Sequence, residues 1–320
     1  MKSLKGIHHV SALTANAQDN LHFYTEILGM RLVKKTVNQD DTSVYHLFYA
    51  DERGNPGTDL TFFEIPHAAK NREGTQSISQ TALRVSSDET LNYWLERFVE
   101  YNVDNSGIQE RYGRKVIDFK DFEDQRLQLI SDETNSGVEG GIPWEKSPVP
   151  QEKGIIGLGP VRLSVPRPEK THKVLTDVLG FQQHTTYQLN GDEVTVFSTG
   201  KGGTGAEVHV HATKDMPRER PGRGSVHHVA FRVESEEELL KWVTHIQSLG
   251  YMNSGFVERY YFRSLYFREP NGILFELATD GPGFEGDEPF EKLGENLALP
   301  PYFEDQREEI EAKLKPLETK

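Results

Sequence analysis

The chain has 320 residues, of which 35% are hydrophobic and 27% are charged, and it contains no cysteine. This composition is typical of a soluble globular protein, and the lack of cysteine excludes disulfides, thiolate metal sites and thiol nucleophiles. The formal net charge of −14 argues against a nucleic-acid-binding surface, which needs clustered lysine and arginine. No apolar run is long enough to span a membrane, and the start MKSLKGIHHV lacks the apolar core of a secretory signal, so we expect a cytoplasmic protein.

Four similar units follow one another along the chain. Each begins with a short strand-like run: HVSALT (9–14), QTALRV (80–85), PVRLSV (160–165) and HVAFRV (228–233). A stretch with apolar residues at helical spacing follows each run, and three of these stretches end in Leu-Gly, where glycine suits the left-handed residue after a helix. Two or three further strand-like runs complete each unit. The sequence therefore predicts an α+β fold of four βαβββ modules that form two open, cleft-like barrels.

The same pattern predicts the domain organisation. Modules one and two occupy residues 1–137, and a linker at 138–153 covers most of the charged, proline-containing stretch EKSPVPQEKG. Modules three and four occupy 154–280. Residues 281–320 are expected to form an arm that lies over the modules and ends in the helix DQREEIEAKL.

Two histidine pairs stand at the same place in the repeat, in GIHHVSALT and SVHHVAFRV. Side chains alternate between the two faces of a strand, and the Val, Phe and Val of HVAFRV form an apolar row suited to packing on a helix. His228 then falls on the smaller, more polar face, which would line a cleft, and His9 has the same register in the first unit. The first histidine of each pair, His8 or His227, is expected to point to the apolar side and to serve packing.

The last strand of the fourth unit, ILFELAT (273–279), places Glu276 on the cleft side by the same alternation. A carboxylate inside such an apolar strand is costly to bury without a partner, and a divalent metal would be such a partner. A single strand histidine is usually structural, and a strand glutamate is usually solvated at an edge. The joint occurrence of His9, His228 and Glu276 at matching registers favours a metal site, because two imidazoles and one carboxylate are the ligands of non-haem Fe(II) oxygenases.

The segment LYFREPNGILFE (265–276) resembles the signature of extradiol ring-cleaving dioxygenases. The matching positions are Leu265, Tyr266, Glu269, Pro270, Gly272 and Glu276. The four-unit architecture is similar to the vicinal oxygen chelate superfamily, which also contains glyoxalases and antibiotic-resistance proteins. More narrowly, GIHHVSALT, PWEKSPVP, RYYFRSLYFREP and LGENLALPPYFEDQREEIEAKL resemble bacterial hydroquinone-type ring-cleaving dioxygenases, and this resemblance runs from residue 6 to about residue 316.

The resemblance implies a ring-cleaving dioxygenase of the extradiol type. It implies Fe(II), with Mn(II) as an alternative ion, held by His9, His228 and Glu276, and it places Tyr266 near the bound oxygen or substrate. The expected partners are a small hydroquinone- or catechol-type arene and O2, with no nucleic acid and no membrane. Whether the chain forms a homo-oligomer stays open.

Two departures from the wider dioxygenase pattern bear on the site. The signature expects a histidine six to eight residues before Leu265, but residues 257–259 are Val, Glu and Arg. The usual extradiol enzymes take their first histidine from the third unit, where this chain has Pro160. The expected ligands therefore require modules one and four to share a cleft.

The other cleft, between modules two and three, would then have Gln80, Gln128 and Pro160 at the ligand registers, and we expect it to be metal-free. If the modules paired in chain order instead, Glu207 or His209 could complete the site with His228 and Glu276.

Two other functions stay open. The first unit ends in LTFFEI, and Glu64 there matches Glu276 in register, so that four ligands would resemble a glyoxalase-like lyase or isomerase with Ni or Zn. The fold also suits a protein that binds aromatic compounds without a metal.

Overall fold

The computed structural model describes residues 1–319. Each of the four sequence units has a strand, a helix and three further strands. The first has β1 (Ile7–Thr14), α1 (Ala17–Leu21), β2 (Arg31–Asn38), β3 (Asp41–Ala50) and β4 (Asp59–Glu64). The second has β5 (Ser77–Val85), α2 (Asp88–Glu100), β6 (Gln109–Arg111), β7 (Arg114–Lys120) and β8 (Arg126–Ser131). The third has β9 (Ile155–Val165), α3 (Pro168–Lys173), β10 (Gln182–Leu189), β11 (Asp192–Ser198) and β12 (Glu207–Ala212). The fourth has β13 (Val226–Val233), α4 (Glu236–Ser248), β14 (Val257–Glu258), β15 (Phe262–Arg268) and β16 (Leu274–Pro282).

The strands form two curled eight-stranded sheets. One has the order β14-β15-β16-β13-β1-β4-β3-β2 and therefore joins the first and fourth units, and the other has the order β10-β11-β12-β9-β5-β8-β7-β6 and joins the second and third. In each sheet the first strands of the two units pair antiparallel at the centre. The α+β fold with two open half-barrels is confirmed, and His9 and His228 lie on the two central strands of the first sheet.

The helices begin and end where the repeat pattern places them. Ser87 and Ser235 cap α2 and α4, because each side chain accepts a hydrogen bond from a backbone N–H of the first helical turn. The glycines after three helical segments, Gly29, Gly180 and Gly250, have φ values of 68°, 74° and 77°, which a side chain would strain. Segments of π-helix (22–27 and 174–178) extend α1 and α3.

The strand alternation predicted from the sequence separates two apolar regions. The row formed by Val229, Phe231 and Val233 belongs to the large core beneath the helices, whereas Ala230 belongs to a smaller cluster on the concave side of the first sheet. Side chains on the concave side are therefore free to line a cleft.

The C-terminal arm packs against this concave side. Three short 3-10 turns (284–286, 290–292 and 301–306) precede the final helix, α5 (Arg307–Lys313). Lys34 of β2 is fully buried, and its ammonium group donates to the Asp287 and Glu288 carboxylates at 2.7 and 2.5 Å. Phe284 of the arm packs in the same cluster as Ala230. The described part of the chain, residues 1–319, contains no helix of the length and apolarity that a membrane span requires.

Candidate metal centre

Three side chains from three neighbouring strands converge at the centre of the first sheet. The Nε2 atoms of His9 and His228 lie 3.1 Å apart, and Glu276 Oε2 lies 3.0 and 2.8 Å from them. All three residues are almost completely buried. These are the three ligands predicted from the sequence, and in the structure their potential ligand atoms lie close together.

The donor set fits a divalent cation. Glu276 Oε2 is buried and accepts no hydrogen bond, although two imidazole nitrogens lie beside it. Ligand atoms about 2.1 Å from a metal are about 3.0 Å apart in neighbouring octahedral positions and about 3.4 Å apart in a tetrahedron. The three observed separations match one face of an octahedron, so His9, His228 and Glu276 are suited to an ion that keeps open positions.

The second carboxylate oxygen of Glu276 is anchored within the sheet. Ser264 of β15 donates its hydroxyl proton to Glu276 Oε1 at 2.5 Å, which leaves Oε2 facing the imidazoles. Burial raises the pKa of Glu276, but the neighbouring His9 and His228 outweigh it and hold this pKa well below its usual range. Burial lowers the pKa of His228. These directions favour the carboxylate form of Glu276 and the neutral form of His228, which are the forms that metal ligation requires.

The first histidine of each pair does not point to the helix-facing side, so that expectation is wrong. The pairing of β1 with β13 slips at two places: between Ile7 and His9, and between Ser11 and Ala12. At the first slip His8 is an extra residue on β1, and at the second His227 is an extra residue on β13, as in a β-bulge. A bulge interrupts the alternation on which the expectation depended.

The bulges bring both extra rings beside the ligands. His8 Nδ1 lies 2.9 Å from His9 Nδ1, and His227 Nδ1 lies 2.8 Å from His228 Nδ1. Burial lowers the pKa of His8 to about 3. His8 is buried and packs edge-on against Phe262, whereas His227 is exposed and lines the cavity described next.

A cavity of about 340 Å³ opens beside the three converging side chains. Its apolar wall consists of Leu13, Phe48, Phe63, Ile65, Phe262 and Leu274. Both His9 and His228 line it, and His46, Arg259 and Tyr266 add polar groups. The volume is at the small end of the roughly 300–1,000 Å³ range of ligand cavities, so a single aromatic ring suits it better than a large ligand.

Tyr266, the sequence-predicted catalytic residue, lies at the edge of this cavity. It pairs in register with Glu276, and its ring lies 5.8 Å from the ring of His228. Burial and the nearby Glu276 charge raise the pKa of Tyr266, so its hydroxyl group keeps its proton. The Arg259 Nε–H donates to the Tyr266 hydroxyl at 3.3 Å, and the Arg259 guanidinium group pairs with Asp40 at 3.2 Å.

Glu64 is not at the register of Glu276, which corrects the sequence alignment of these two strands. Glu276 pairs with Ala230, and the equivalent pair in the first unit is Thr61 with Ser11. Glu64 lies three residues farther along β4, where its carboxylate accepts a hydrogen bond from the Ala17 N–H at 3.0 Å. Its role is to hold the start of α1, because an anion there stabilises the free N–H groups of a helix.

His46 is a cavity residue that the sequence analysis missed. It pairs with Phe63 on β4 as Ser264 pairs with Ala278 on β16, so His46 is the first-unit counterpart of Ser264. His46 Nε2 lies 3.0 Å from Thr61 Oγ1, and burial holds the pKa of His46 well below its usual range. Aligning the third strands of the first and fourth units would have revealed this residue.

The second sheet has different groups at the corresponding positions. The side-chain amides of Gln80 and Gln128 both donate to Asp118 Oδ1 at 2.8 Å. Glu207 and His209 lie on β12 of this sheet, 3.1 Å apart, and Glu207 also pairs with Arg114. These two residues are therefore not beside Glu276, and Pro160 has no side-chain ligand atom.

Comparisons with known proteins identify the family. The profile of the Glyoxalase/Bleomycin resistance protein/Dioxygenase superfamily matches residues 6–128 and 157–277. The chain is 56% identical over 316 residues to the "Putative ring-cleaving dioxygenase MhqA" of Bacillus subtilis (strain 168), covering 98% of this chain and 99% of that protein. It is 30% identical over 316 residues to the "Chlorohydroquinone/hydroquinone 1,2-dioxygenase" of Sphingobium indicum, covering 96% and 95%.

Solved structures give the same picture of the fold. The crystal structure of a "putative dioxygenase" from Bacillus subtilis subsp. subtilis str. 168 superposes with a TM-score of 0.91 at 34% identity, covering 100% of this chain and 99% of that one. Glyoxalase I from Zea mays superposes with a TM-score of 0.63 at 14% identity, covering 86% and 92%. The latter similarity shows the fold alone.

Proposed function

Because the chain belongs to the glyoxalase/bleomycin resistance protein/dioxygenase superfamily and to its ring-cleaving dioxygenase family, we propose that it is an Fe(II)-dependent, extradiol-type enzyme. Its substrates in this proposal are O2 and a hydroquinone- or catechol-type dihydroxyarene. The observation that carries the proposal is the convergence of His9 Nε2, His228 Nε2 and Glu276 Oε2 on one point in the wall of a ring-sized apolar cavity.

His9, His228 and Glu276 would hold the ion. When bound, Fe(II) supplies the one-electron chemistry through which O2 reacts with an arene, and three protein ligands leave positions for both reactants. Mn(II) has the same preference for open octahedral sites of this kind, so elemental analysis has to distinguish the two ions.

The cavity walls would position the arene and exclude water. Phe63, Ile65 and Leu274 provide apolar contacts for a flat ring, and holding both reactants beside the ion replaces a chance encounter with an oriented one. Tyr266 keeps its proton and can therefore donate a hydrogen bond to oxygen atoms that gain negative charge during the reaction. Arg259 orients this hydroxyl group and is itself held by Asp40.

His46 is a second group that could exchange a proton with the substrate. Its ring lies between Phe48 and Phe63, with centroid distances of 4.1 and 4.0 Å, and it lines the cavity. As a neutral imidazole it has one nitrogen with a lone pair, which can accept a proton from a phenolic hydroxyl group. It would thus serve where the dioxygenase signature expects a histidine before Leu265.

The two alternatives from the sequence have less support. A glyoxalase-like lyase or isomerase needs a second carboxylate, and Thr61 stands at the position where that carboxylate would be. A metal-free binding protein gives no role to Glu276 Oε2, which is buried without a hydrogen bond.

Oxygen consumption tests the proposal. Protein purified anaerobically and loaded with Fe(II) should consume O2 with hydroquinone or catechol and incorporate both atoms of labelled O2 into a ring-opened product. The Glu276→Gln variant is the matched control and should consume none. Iron-loaded protein that leaves every dihydroxyarene intact, but converts the methylglyoxal–thiol adduct under Ni(II), would establish the lyase or isomerase instead.

A further inference from the structure

The two extra histidines, His8 and His227, form a second layer behind the proposed ligands. Each pair comes from an independent bulge, one on β1 and one on β13, and each bulge places the Nδ1 atoms of neighbouring rings within hydrogen-bond distance. A bulge inserts one residue and re-aims the side chains around it. Because a bulge of this kind occurs in both units of the sheet, we infer that the two inserted histidines have the same role.

The hydrogen-bond pattern in the first unit determines which nitrogen carries each proton. His8 Nε2 lies 3.0 Å from the carbonyl oxygen of Thr279. A carbonyl oxygen only accepts hydrogen bonds, so His8 Nε2 must donate. The Nδ1 atom of a neutral His8 then has a lone pair, and the partner at 2.9 Å, His9 Nδ1, must be the donor.

This assignment places a proton on Nδ1 of His9. With its proton on Nδ1, neutral His9 has a lone pair on Nε2, and this is the nitrogen that faces Glu276 Oε2. In the other tautomer His9 Nε2 would carry a proton and could not bind a cation. The Thr279 carbonyl oxygen therefore determines, through the tautomer of His8, which nitrogen of His9 carries the proton.

We propose that His8 and His227 are positioning residues that select the metal-binding tautomer of His9 and His228. This inference rests on the proposed metal site but not on the reaction that the ion performs. A ligating imidazole commonly donates its other N–H to a carboxylate, a carbonyl group or water, and here a second imidazole takes that place.

The two positioning residues differ in how they are held. His8 is buried and anchored by the Thr279 carbonyl oxygen, whereas the ring of His227 lines the cavity. Because only the His8 tautomer is determined by a backbone group, replacing His8 should have the larger effect on the ion.

Two substitutions of His8 separate its hydrogen bond from its volume. In His8→Asn the side-chain oxygen takes the place of Nδ1 and can still accept from His9, whereas His8→Phe keeps a ring without an acceptor. His245→Phe is the matched control. His245 lies on α4, outside the cavity lining, and its Nε2 atom lies 3.3 Å from the carbonyl oxygen of Val178, much as His8 Nε2 lies beside that of Thr279.

Mn(II) titration, followed by the EPR signal of the free ion, measures affinity without any turnover. Removing an outer hydrogen-bond partner of a ligand typically weakens metal binding about 10- to 100-fold, and we expect such a loss in His8→Phe. His227→Phe should lose less, and His8→Asn and His245→Phe should bind as the wild type does. Equal affinity of His8→Phe and wild type, or equal losses in His8→Phe and His8→Asn, would overturn the inference.

NMR of the metal-free protein tests the tautomer directly. With nitrogen-15-labelled histidine, His9 should show a protonated Nδ1 in the wild type and in His8→Asn. An unprotonated His9 Nδ1 in the wild type contradicts the inference, even if His8→Phe fails to fold. If the protein binds Mn(II) and shows the expected tautomer but cleaves no arene, the proposed function fails and this inference stands.

Discussion

Thr61 occupies the strand position in the first unit that Glu276 occupies in the fourth. Thr61 pairs with Ser11 between β4 and β1, as Glu276 pairs with Ala230 between β16 and β13. An exact repeat of the two units would place two histidines and two carboxylates around the proposed ion. Because Thr61 replaces the second carboxylate, two histidines and only one carboxylate lie there. The Thr61 hydroxyl group lies 2.7 Å from Ser11 Oγ and forms part of a polar network with His46.

A carboxylate added at this position should occupy one of the open positions of the ion. We expect Thr61→Glu to bind Mn(II) at least as tightly as the wild type, because a fourth protein ligand is added. Oxygen consumption should fall roughly 10-fold or more, because the added ligand takes one of the open positions that the arene and O2 need. Thr61→Gln has the same bulk without the charge and is the control. Full oxygen consumption in Thr61→Glu would show that this position is not available to the ion.

The two glutamates considered from the sequence should behave differently. Glu276→Gln removes the only carboxylate ligand and should weaken Mn(II) binding by roughly 100-fold or more, because an amide is a poor substitute for an anionic ligand. Glu64→Gln should retain metal affinity and lose only a little helix stability, about 0.5–1 kcal/mol in the free energy of unfolding. Metal titration and urea unfolding of both variants check this. Equal metal affinities for the two variants would contradict the proposed ligand set.

The alternation of side chains along the strands was enough to predict the proposed ligands from the sequence. It placed His228 and Glu276 on one face, and the repeated histidine pair added His9. The alternation failed at His8 and His227, because a bulge inserts a residue and ends the strict alternation of faces.

Register between strands could not be predicted in the same way. Glu64 and Glu276 stand in similar apolar strands, but the pairing of β4 with β1 places Thr61, three residues before Glu64, at the position of Glu276. The buried ion pairs of Lys34 with the arm join residues more than 250 positions apart, and no local pattern in the sequence indicates them.

Ser264 should influence the ion through Glu276. Ser264→Ala removes the hydrogen bond to Glu276 Oε1 and lets the carboxylate rotate, so we expect about 10-fold weaker Mn(II) binding. Ser164→Ala is a matched control, because the Ser164 hydroxyl group donates to Ser79 Oγ at 2.8 Å in the second sheet. Both variants lose a buried strand hydrogen bond. If metal titration shows the same affinity for both, the Ser264 bond has no role at the site.

Tyr266 should affect turnover and leave metal binding unchanged. Tyr266→Phe keeps the ring beside His228 but loses the hydroxyl group, and the loss of one positioned hydrogen-bond donor commonly costs about 100-fold in kcat. Mn(II) affinity should stay at the wild-type value, because the hydroxyl group is not one of the proposed ligands. Tyr260→Phe, which changes a tyrosine outside the cavity lining, is the control. A Tyr266→Phe variant with unchanged kcat would remove this residue from the mechanism.

Asp121 should make the stability of the fold depend on pH. Its Oδ1 accepts from the backbone N–H groups of Glu123 and Gln125 at 2.8 and 2.9 Å, and its Oδ2 accepts from the Tyr24 hydroxyl group at 3.0 Å. Burial raises the pKa of Asp121 to about 7, from about 3.9 in an unfolded chain.

Between these two pKa values the folded state binds more protons at Asp121 than the unfolded state does. The free energy of unfolding should therefore fall as the pH rises from about 4 to about 7, by up to about 1.4 kcal/mol per pH unit from this group.

Asp121→Asn never ionises, and its amide can still accept from the two backbone N–H groups and donate to Tyr24. Its stability relative to the wild type should thus increase from pH 4.5 to pH 7.5, as measured by urea unfolding. Asp124→Asn, at a solvent-exposed carboxylate of the same turn, should leave the wild-type slope unchanged. Parallel pH profiles for Asp121→Asn and the wild type would mean that Asp121 is ionised in the folded protein throughout this range.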